Sequence, residues 1–133
     1  MNINENNLGK KDKSILVVDD QESIRLLVTS VLEQDYNIIT RSDGQQALDY
    51  LKEGHPIDLI LLDMEMPNMN GRTFVKMVKF NPHYGNIPIF FVTSVNSSLI
   101  TNSFMRIGIE GFIFKPFKPE ELRERIHSFF NAL

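Results

Sequence analysis

The sequence contains no cysteine and no tryptophan. The absence of cysteine excludes a disulfide framework, thiolate metal sites and cysteine nucleophiles, and it fits a reducing compartment. No apolar run approaches the roughly 18 residues that a membrane helix requires. The N-terminus has neither the basic start nor the apolar stretch of a signal peptide. We therefore expect a cytoplasmic protein without membrane insertion.

Basic charge is also sparse. Fourteen Lys and Arg stand against 17 Asp and Glu, which gives a formal net charge of −3, and the longest basic run is Lys10–Lys11. These features argue against direct nucleic-acid binding. A length of 133 residues with 42% hydrophobic content suits one globular domain. Residues 1–13 are rich in asparagine and charge, so we predict a flexible N-terminal tail followed by a single domain over 14–133.

Short apolar runs alternate with helically spaced apolar residues along the domain. The first run, Ile15–Val18, is continuous, which is typical of a strand covered on both faces. Strands are predicted near 15–18, 37–40, 57–62, 87–92 and 111–114. Helices are predicted near 21–34, 44–54, 74–78, 99–107 and 119–133. This alternation predicts an α/β fold with a doubly wound parallel sheet, and periodicity alone leaves the strand order open.

Four of the five predicted strands are followed by carboxylate, hydroxyl or ammonium side chains. Asp19 and Asp20 follow the first strand, Asp63 the third, Thr93 the fourth and Lys115 the fifth. Ligands of parallel α/β sheets bind outside the carboxyl ends of the strands, so these side chains are expected to converge. Taken singly, an acidic residue after a strand more often caps the next helix, and a lone Thr or Lys is usually solvated.

The convergence of three carboxylates has an electrostatic consequence. Two carboxylates about 4 Å apart repel by on the order of 4 kcal/mol at an effective dielectric constant near 20, and Lys115 neutralises only one. An oxygen-rich acidic site without His or Cys suits Mg²⁺. A cation there would also neutralise phosphate oxygens, which favours phosphoryl chemistry with a carboxylate as acceptor.

Competing phosphate and nucleophile motifs are absent from the sequence. It has no G-x-x-x-x-G-K-[ST] loop, no G-x-G-x-x-G after the first strand and no G-x-S-x-G elbow. The three histidines, His55, His83 and His127, are predicted at surface positions away from the carboxylates. Arg41 follows the second strand and receives no role.

At these residues the sequence closely resembles the receiver domain of bacterial two-component response regulators, in the single-domain form typical of chemotaxis. The matching segments are 15–20 with Arg25, 43–48, 58–71, 87–93 and 111–117. Together they span about residues 14–132 in the order and spacing of a receiver. The resemblance implies a flavodoxin-like fold with strand order 2-1-3-4-5.

The resemblance also implies a role for each acidic residue. Asp63 would accept a phosphoryl group from the phosphohistidine of a sensor histidine kinase, from a phosphotransfer protein or from a small phosphodonor. Asp20 would bind Mg²⁺ directly and Asp19 largely through water, with Asp63 and the backbone carbonyl of Glu65 as further ligands. This chemistry would be confined to the chain's own aspartate, so the protein is not expected to be an enzyme with turnover on another substrate.

The remaining implied roles concern the phosphoryl oxygens and the switch. Thr93 and Lys115 would each contact a phosphoryl oxygen, and the Lys115–Pro116 peptide bond would be cis. Phosphorylation would draw in the Thr93 hydroxyl and let an aromatic residue, here Phe112, turn inward. The face formed by the fourth helix, fifth strand and fifth helix would then control a downstream protein target or an attached effector.

Two departures from the family pattern bear on assembly and phosphoryl lifetime. Segment 108–111 lacks the paired acidic residues of receivers that dimerise as DNA-binding regulators, so a monomer or weak homodimer is expected. Val95 and Glu65 lie two residues after Thr93 and Asp63, at positions that influence access of the hydrolytic water. We hypothesise that Val95 impedes this water and lengthens the phosphoryl lifetime.

Alternative functions and organisations stay open at this point. A Mg²⁺-dependent phosphatase of the haloacid-dehalogenase type would carry an acid-x-acid pair after the first strand, whereas Asp19 and Asp20 are adjacent. A phosphorylation-independent interaction scaffold would usually lack one of the acid, hydroxyl or lysine positions.

The chain is either a stand-alone receiver or part of a longer protein. Leu99, Ile100, Phe104 and Met105 are too many apolar residues for one helix stripe, which suggests an exposed contact face.

Overall fold

A computed structural model describes residues 11–133, which form strands and helices in strict alternation. The strands are β1 Ser14–Val18, β2 Asn37–Arg41, β3 Leu59–Leu62, β4 Ile89–Thr93 and β5 Gly111–Phe114. The helices are α1 Glu22–Leu32, α2 Gly44–Lys52, α3 Gly71–Lys79, α4 Ser98–Met105 and α5 Pro119–Asn131. The predicted alternation of elements is confirmed.

The strands form one parallel sheet in the order β2-β1-β3-β4-β5. This order confirms the flavodoxin-like topology that the receiver resemblance implies. Because every strand runs in the same direction, all the carboxyl ends lie at one edge of the sheet, and the sheet order places β3 at its centre between β1 and β4.

The sheet separates two apolar cores, and successive residues of each strand alternate between them. Phe91 packs with α2, α3 and α4 on one face, whereas its neighbour Phe90 packs with α1 and α5 on the other. Both faces are therefore covered by helices. This arrangement explains why Ile15–Val18 and Leu59–Leu62 are continuous apolar runs rather than alternating ones.

Some boundaries differ from the predicted ones. The third strand begins at Leu59 rather than near 57, and the Asp58 carboxylate accepts a hydrogen bond from the Ser14 backbone N–H at 2.8 Å. The fourth strand begins after Pro88, whose nitrogen has no hydrogen to donate to a ladder, and it extends through Thr93. Consequently Thr93 is the last residue of β4 rather than the residue after it.

Residues 1–10 of the predicted N-terminal tail lie outside the described residues. Within 11–13, the backbone carbonyls of Lys11 and Lys13 accept hydrogen bonds from Asn37 at 2.9 Å each. None of the helices described between residues 11 and 133 is long and apolar enough to span a bilayer.

Candidate functional site

The register of the central strands brings the predicted acidic residues together. Val18 pairs with Leu62 across β1 and β3, so the residues that follow them, Asp19 and Asp63, lie side by side. The Asp63 backbone N–H donates to the Val18 carbonyl at 2.9 Å, which continues the ladder for one more step. The position of the two carboxylates is thus set by the most buried part of the sheet.

Three carboxylates meet at this edge. Oxygens of Asp19, Asp20 and Asp63 all lie within 4.8 Å of one another. Asp19 and Asp63 are buried, with 2% and 7% of their surface exposed, whereas Asp20 faces solvent. Asp19 does not cap a helix, because α1 begins after Gln21; its carboxylate instead accepts the Gln21 backbone N–H at 2.9 Å. The alternative of a simple helix cap therefore fails for Asp19.

One ammonium group enters the cluster from the end of β5. Lys115 Nζ lies 2.8 Å from Asp19 Oδ2 and 3.7 Å from Asp63 Oδ2. Its backbone N–H donates to the Thr93 carbonyl at 2.9 Å, which fixes the start of the side chain beside β4. The Lys115–Pro116 peptide bond is cis. One positive charge thus faces three carboxylates, and the cluster keeps a negative surplus.

Burial raises the pKa of Asp63 to about 6. The neighbouring Asp19 carboxylate adds to this increase and Asp20 contributes a smaller part, because a second negative charge is unfavourable nearby. The Lys115 ammonium and the Glu65 backbone N–H, which lies 3.3 Å from Asp63 Oδ1, act in the opposite direction. Asp63 is therefore ionised at neutral pH, although its negative charge is less favourable in the folded protein than in water.

The loop between β3 and α3 is held close to the site by its own backbone. Asn70 caps α3 through a 2.9 Å hydrogen bond from the Thr73 N–H, and the Gly71 N–H donates to the Met64 carbonyl at 2.8 Å. A Cβ on Gly71 would lie 2.8 Å from both Met64 Cα and a ring atom of Phe91. Glycine is required here because the helix start approaches the loop so closely.

The two predicted switch residues lie on adjacent strands. Thr93 is fully buried, and its hydroxyl oxygen accepts the Val95 backbone N–H at 3.2 Å. Phe112 is half-buried and stacks on Phe91 with ring centroids 5.6 Å apart and planes inclined by 18°. Phe91 is its direct register partner on β4, so the sheet itself sets this pair.

The donor set fits a hard divalent cation. The three clustered side chains offer only carboxylate oxygens, and the residues described over 11–133 place no histidine in this group. Magnesium and calcium prefer such oxygen ligands. A divalent cation would also balance the negative surplus that Lys115 leaves.

The other candidates of the sequence analysis lie elsewhere. The Arg41 guanidinium stacks over the Tyr50 ring at 4.7 Å, and His55 stacks on the same ring. His127 contacts Asp35 at 3.2 Å. His83 lies in the exposed turn after α3, where its backbone N–H donates to the Asn81 side chain.

One positioning residue had no role assigned from the sequence. Arg25 Nη1 donates to the Asp19 backbone carbonyl at 2.8 Å and so ties α1 to the end of β1. A basic residue one turn into the first helix is the only sequence sign of this contact, and it does not identify a carbonyl as the acceptor.

Comparisons with known proteins agree with this geometry. Residues 15–127 match the response regulator receiver domain. A probable cyclic di-GMP phosphodiesterase of Vibrio cholerae is 34% identical over 115 residues, which cover 86% of this chain and 26% of that protein. The high-resolution structure of the chemotaxis response regulator CheY4 of Vibrio cholerae is 33% identical with a TM-score of 0.80, covering 87% of this chain and 97% of that chain.

A third relative is informative about cations. The Mn(2+)-bound form of the response regulator Rcp1 is 26% identical to this chain with a TM-score of 0.74, covering 87% of this chain and 90% of that one. The present chain spans about a quarter of the length of the phosphodiesterase relative. The matched region includes every strand, except the first residue of β1, and the whole carboxylate edge. This chain therefore belongs to the response regulator receiver domain family and is homologous to CheY-type regulators.

Proposed function

We propose that this receiver accepts a phosphoryl group on Asp63 from a sensor histidine kinase or a phosphotransfer protein. The observation that carries the proposal is the carboxylate cluster at the strand ends, with Lys115 Nζ 3.7 Å from Asp63 Oδ2. The cluster supplies an anionic nucleophile, further oxygen donors and one fixed cation in a single crevice. These are the parts that phosphoryl transfer uses, since positioning and charge stabilisation supply most of its catalysis.

The transfer step is a simple displacement. A carboxylate oxygen of Asp63 forms the new P–O bond while the P–N bond of the donor phosphohistidine breaks, and its electron pair returns to the imidazole nitrogen. Only the ionised carboxylate has the electron pair to attack. Because the pKa of Asp63 is about 6, most molecules carry this form at neutral pH.

We propose that Asp19, Asp20, Asp63 and the Glu65 backbone carbonyl hold Mg²⁺. When bound, the cation neutralises charge on the transferring phosphoryl oxygens. The Mn(2+)-bound state of the homologous Rcp1 supports a divalent cation in this fold. The chain's own oxygen donors and its surplus negative charge support the same assignment here.

Lys115 and Thr93 are proposed to contact separate phosphoryl oxygens. Lys115 already lies between the Asp19 and Asp63 carboxylates, and the Thr93 hydroxyl lies at the end of the neighbouring strand. Among residues 11–133, the Thr93 hydroxyl accepts a hydrogen bond from the Val95 N–H at 3.2 Å, which leaves its own hydrogen for a new acceptor. Movement of the hydroxyl toward that acceptor would open space for Phe112 to turn inward.

Output is proposed to pass through the face formed by α4, β5 and α5 to a downstream protein target or attached effector. Phe112 connects the site to this face, because it lies on β5 and stacks on the buried Phe91 ring. The chemistry stays on the chain's own aspartate, so we infer a signalling module rather than an enzyme with a separate substrate. Location in the cytoplasm is part of the same proposal.

The test is the intact mass of the protein after incubation with acetyl phosphate and Mg²⁺. We expect the wild type to gain one phosphoryl group, and we expect Asp63→Asn or added chelator to abolish the gain. Asp49→Asn changes an exposed aspartate on α2 and is the matched control that should be labelled like wild type. An unlabelled wild type, under conditions that label an established receiver, would favour the phosphorylation-independent scaffold.

A further inference from the structure

Helices α3 and α4 enclose a groove beside the phosphorylation site. Arg72 spans it, donating to Ser103 Oγ at 3.3 Å and placing its guanidinium 4.5 Å from the Phe104 ring centroid. A cavity of about 250 Å³ lies here, lined by Met64, Asn70, Arg72, Ile100 and Phe104. Met64, one of these lining residues, directly follows Asp63 in the sequence.

One wall of the groove is basic. Arg72, Lys76 and Lys79 follow each other at intervals of four and three residues, so they form one stripe on α3. Arg72 at one end contacts α4, and at the other end the Lys79 side chain reaches within about 4 Å of the Cβ position of Gly108, in the turn after α4. The stripe therefore runs along the side of α3 that faces α4.

This basic wall has no acidic counterpart. No Asp or Glu stands between Glu65 and Glu110 in the sequence, although the whole chain has a net charge of −3. None of the ion pairs among residues 11–133 includes a cation of the stripe or Arg106. The acidic surplus lies entirely outside this segment, so α3 carries cationic side chains, and neither α3 nor α4 has a carboxylate, in a protein of net negative charge.

The other wall is apolar and exposed. Leu99 and Ser103 lie one turn apart on α4, so Leu99 shares the side on which Ser103 contacts Arg72. Leu99 is 83% exposed, and its neighbour Ile100, which lines the cavity, is 36% exposed. Phe80, at the end of α3, is 84% exposed. Exposed large apolar side chains near cations are typical of interaction surfaces.

We propose that the α3–α4 groove docks an acidic amphipathic helix of a protein partner. The apolar stripe of such a helix would cover Leu99 and Ile100, and its carboxylates would face Arg72, Lys76 and Lys79. A nucleic-acid backbone would satisfy the cations but leave the leucine and isoleucine uncovered. A flat anionic membrane fits a concave groove less well than a rod-shaped helix does.

This surface lies on the α3 side of α4 and shares only that helix with the proposed output face on α4, β5 and α5. The inference does not require phosphorylation of Asp63, so it can be tested in wild type and in Asp63→Asn alike. Failure of peptide binding would leave the phosphorylation assay unaffected, and failure of phosphorylation would leave peptide binding unaffected.

The test uses a fluorescently labelled synthetic helix with leucines at i, i+3, i+4 and i+7 and glutamates on the flanking positions. Its affinity for the full chain is measured by anisotropy, and its binding site by NMR chemical-shift mapping. Controls are a scrambled peptide of the same composition and a peptide with lysines in place of the glutamates. Phosphatidylcholine–phosphatidylserine vesicles and double-stranded DNA serve as the alternative polyanions.

We expect shifts concentrated in α3 and α4 and affinity that decreases with salt. Lys76→Glu should weaken binding by about fivefold, and Leu99→Ser by about tenfold. Both residues are exposed, so these variants should fold, and circular dichroism checks that they do. Lys52→Glu, which reverses an exposed charge on α2, should bind the peptide like wild type.

Several results would overturn the proposal. These are equal binding of the scrambled peptide, equal losses for Lys76→Glu and Lys52→Glu, shifts confined to β5 and α5, or no binding at all. Tighter occupation of the same face by vesicles or DNA would overturn the assignment to a protein partner.

Discussion

The Lys115 ammonium lies 2.8 Å from Asp19 Oδ2, so the single cation at the site is committed mainly to an aspartate that is not the proposed phosphoryl acceptor. Its distance to Asp63 is 3.7 Å, which is long for a hydrogen bond. Burial and the neighbouring Asp19 carboxylate both disfavour the ionised form of Asp63, and the Lys115 ammonium offsets this effect only in part. Two predictions follow directly from this unequal sharing.

The first prediction concerns stability against pH in Asp63→Asn. The pKa of Asp63 is about 6 in the folded protein and near its ordinary value of 3.8 in the unfolded chain. The folded state therefore binds more protons at Asp63 between these values, so the contribution of Asp63 to the free energy of unfolding falls as pH rises from about 4 to 6 and is level above. Asparagine does not ionise, so the Asp63→Asn variant does not lose this stability as pH rises. With a chelator present, we expect the variant to be more stable than wild type at pH 7.5 by about 2 to 3 kcal/mol.

Urea denaturation of both proteins across pH 4 to 8 measures this difference. The gap should shrink to well below about 1 kcal/mol by about pH 4, where Asp63 is protonated in the folded state and the pH is close to its pKa in the unfolded chain. Asp49→Asn, at an exposed position, should follow the wild-type curve. A pH-independent gap between Asp63→Asn and wild type would contradict the electrostatic origin.

The second prediction is that Lys115→Met binds Mg²⁺ more tightly than wild type. A divalent cation at the carboxylate cluster is repelled by the ammonium that now pairs with Asp19. Removing the ammonium should increase the Mg²⁺ affinity by about fivefold, or about 1 kcal/mol. The same variant should be labelled poorly by acetyl phosphate, because it lacks the partner for a phosphoryl oxygen.

Isothermal titration calorimetry with MgCl₂ is the measurement. Lys52→Met removes a distant exposed lysine and should leave the affinity unchanged, which controls for net charge. Equal or weaker Mg²⁺ binding by Lys115→Met would mean that the lysine helps to build the cation site rather than competing with it.

The third prediction separates phosphorylation from switching. Thr93 is the last residue of β4, at the edge of the sheet that carries the site, and Phe112 lies on the next strand. In Thr93→Ala we expect Asp63 to be phosphorylated, more slowly, without the change in the Phe112 ring environment that we expect on phosphorylation of the wild type. The measurement is the phosphorylation-dependent shift of Phe112 ring resonances. A shift of wild-type size in the variant would contradict the coupling.

Much of the site follows from local sequence because parallel strands share one edge. The apolar runs that end at Val18 and Leu62 are enough to place Asp19 and Asp63 at the same edge once the sheet is parallel. Strand order is different, since five similar apolar runs carry no information about their neighbours. That order came from the receiver resemblance and is confirmed by the structure.

Contacts across the sheet edge could not be predicted in this way. That Lys115 pairs with Asp19 more closely than with Asp63 depends on side-chain geometry between β5 and β1, which are not adjacent strands. The exposure of Leu99 could be predicted only in part. The excess of apolar residues on the fourth helix predicts an exposed apolar face, but it does not say which side of the helix carries that face. The charge asymmetry of α3 is visible in the sequence and becomes meaningful only when Arg72 is found against α4.

The last prediction concerns the lifetime of the phosphoryl group. The Val95 backbone N–H donates to the Thr93 hydroxyl at 3.2 Å, and the half-buried Val95 side chain packs against the core on the α4 face. An apolar side chain two residues from the hydroxyl offers the hydrolytic water no hydrogen bond. In Val95→Glu a carboxylate would orient that water, so we expect loss of phosphate to accelerate by about fivefold, which corresponds to a barrier about 1 kcal/mol lower.

The decay is followed by intact mass after acetyl phosphate is removed, with Mg²⁺ held constant. Val95→Ala is the matched control, because it removes bulk without adding an acceptor. If steric exclusion alone sets the lifetime, Val95→Ala should decay faster than wild type, and Val95→Glu should not, because its side chain is larger than valine. If water orientation matters as well, the glutamate variant should decay faster than both. Loss of phosphate from Val95→Glu at the wild-type rate would mean that Val95 does not control access of water to Asp63.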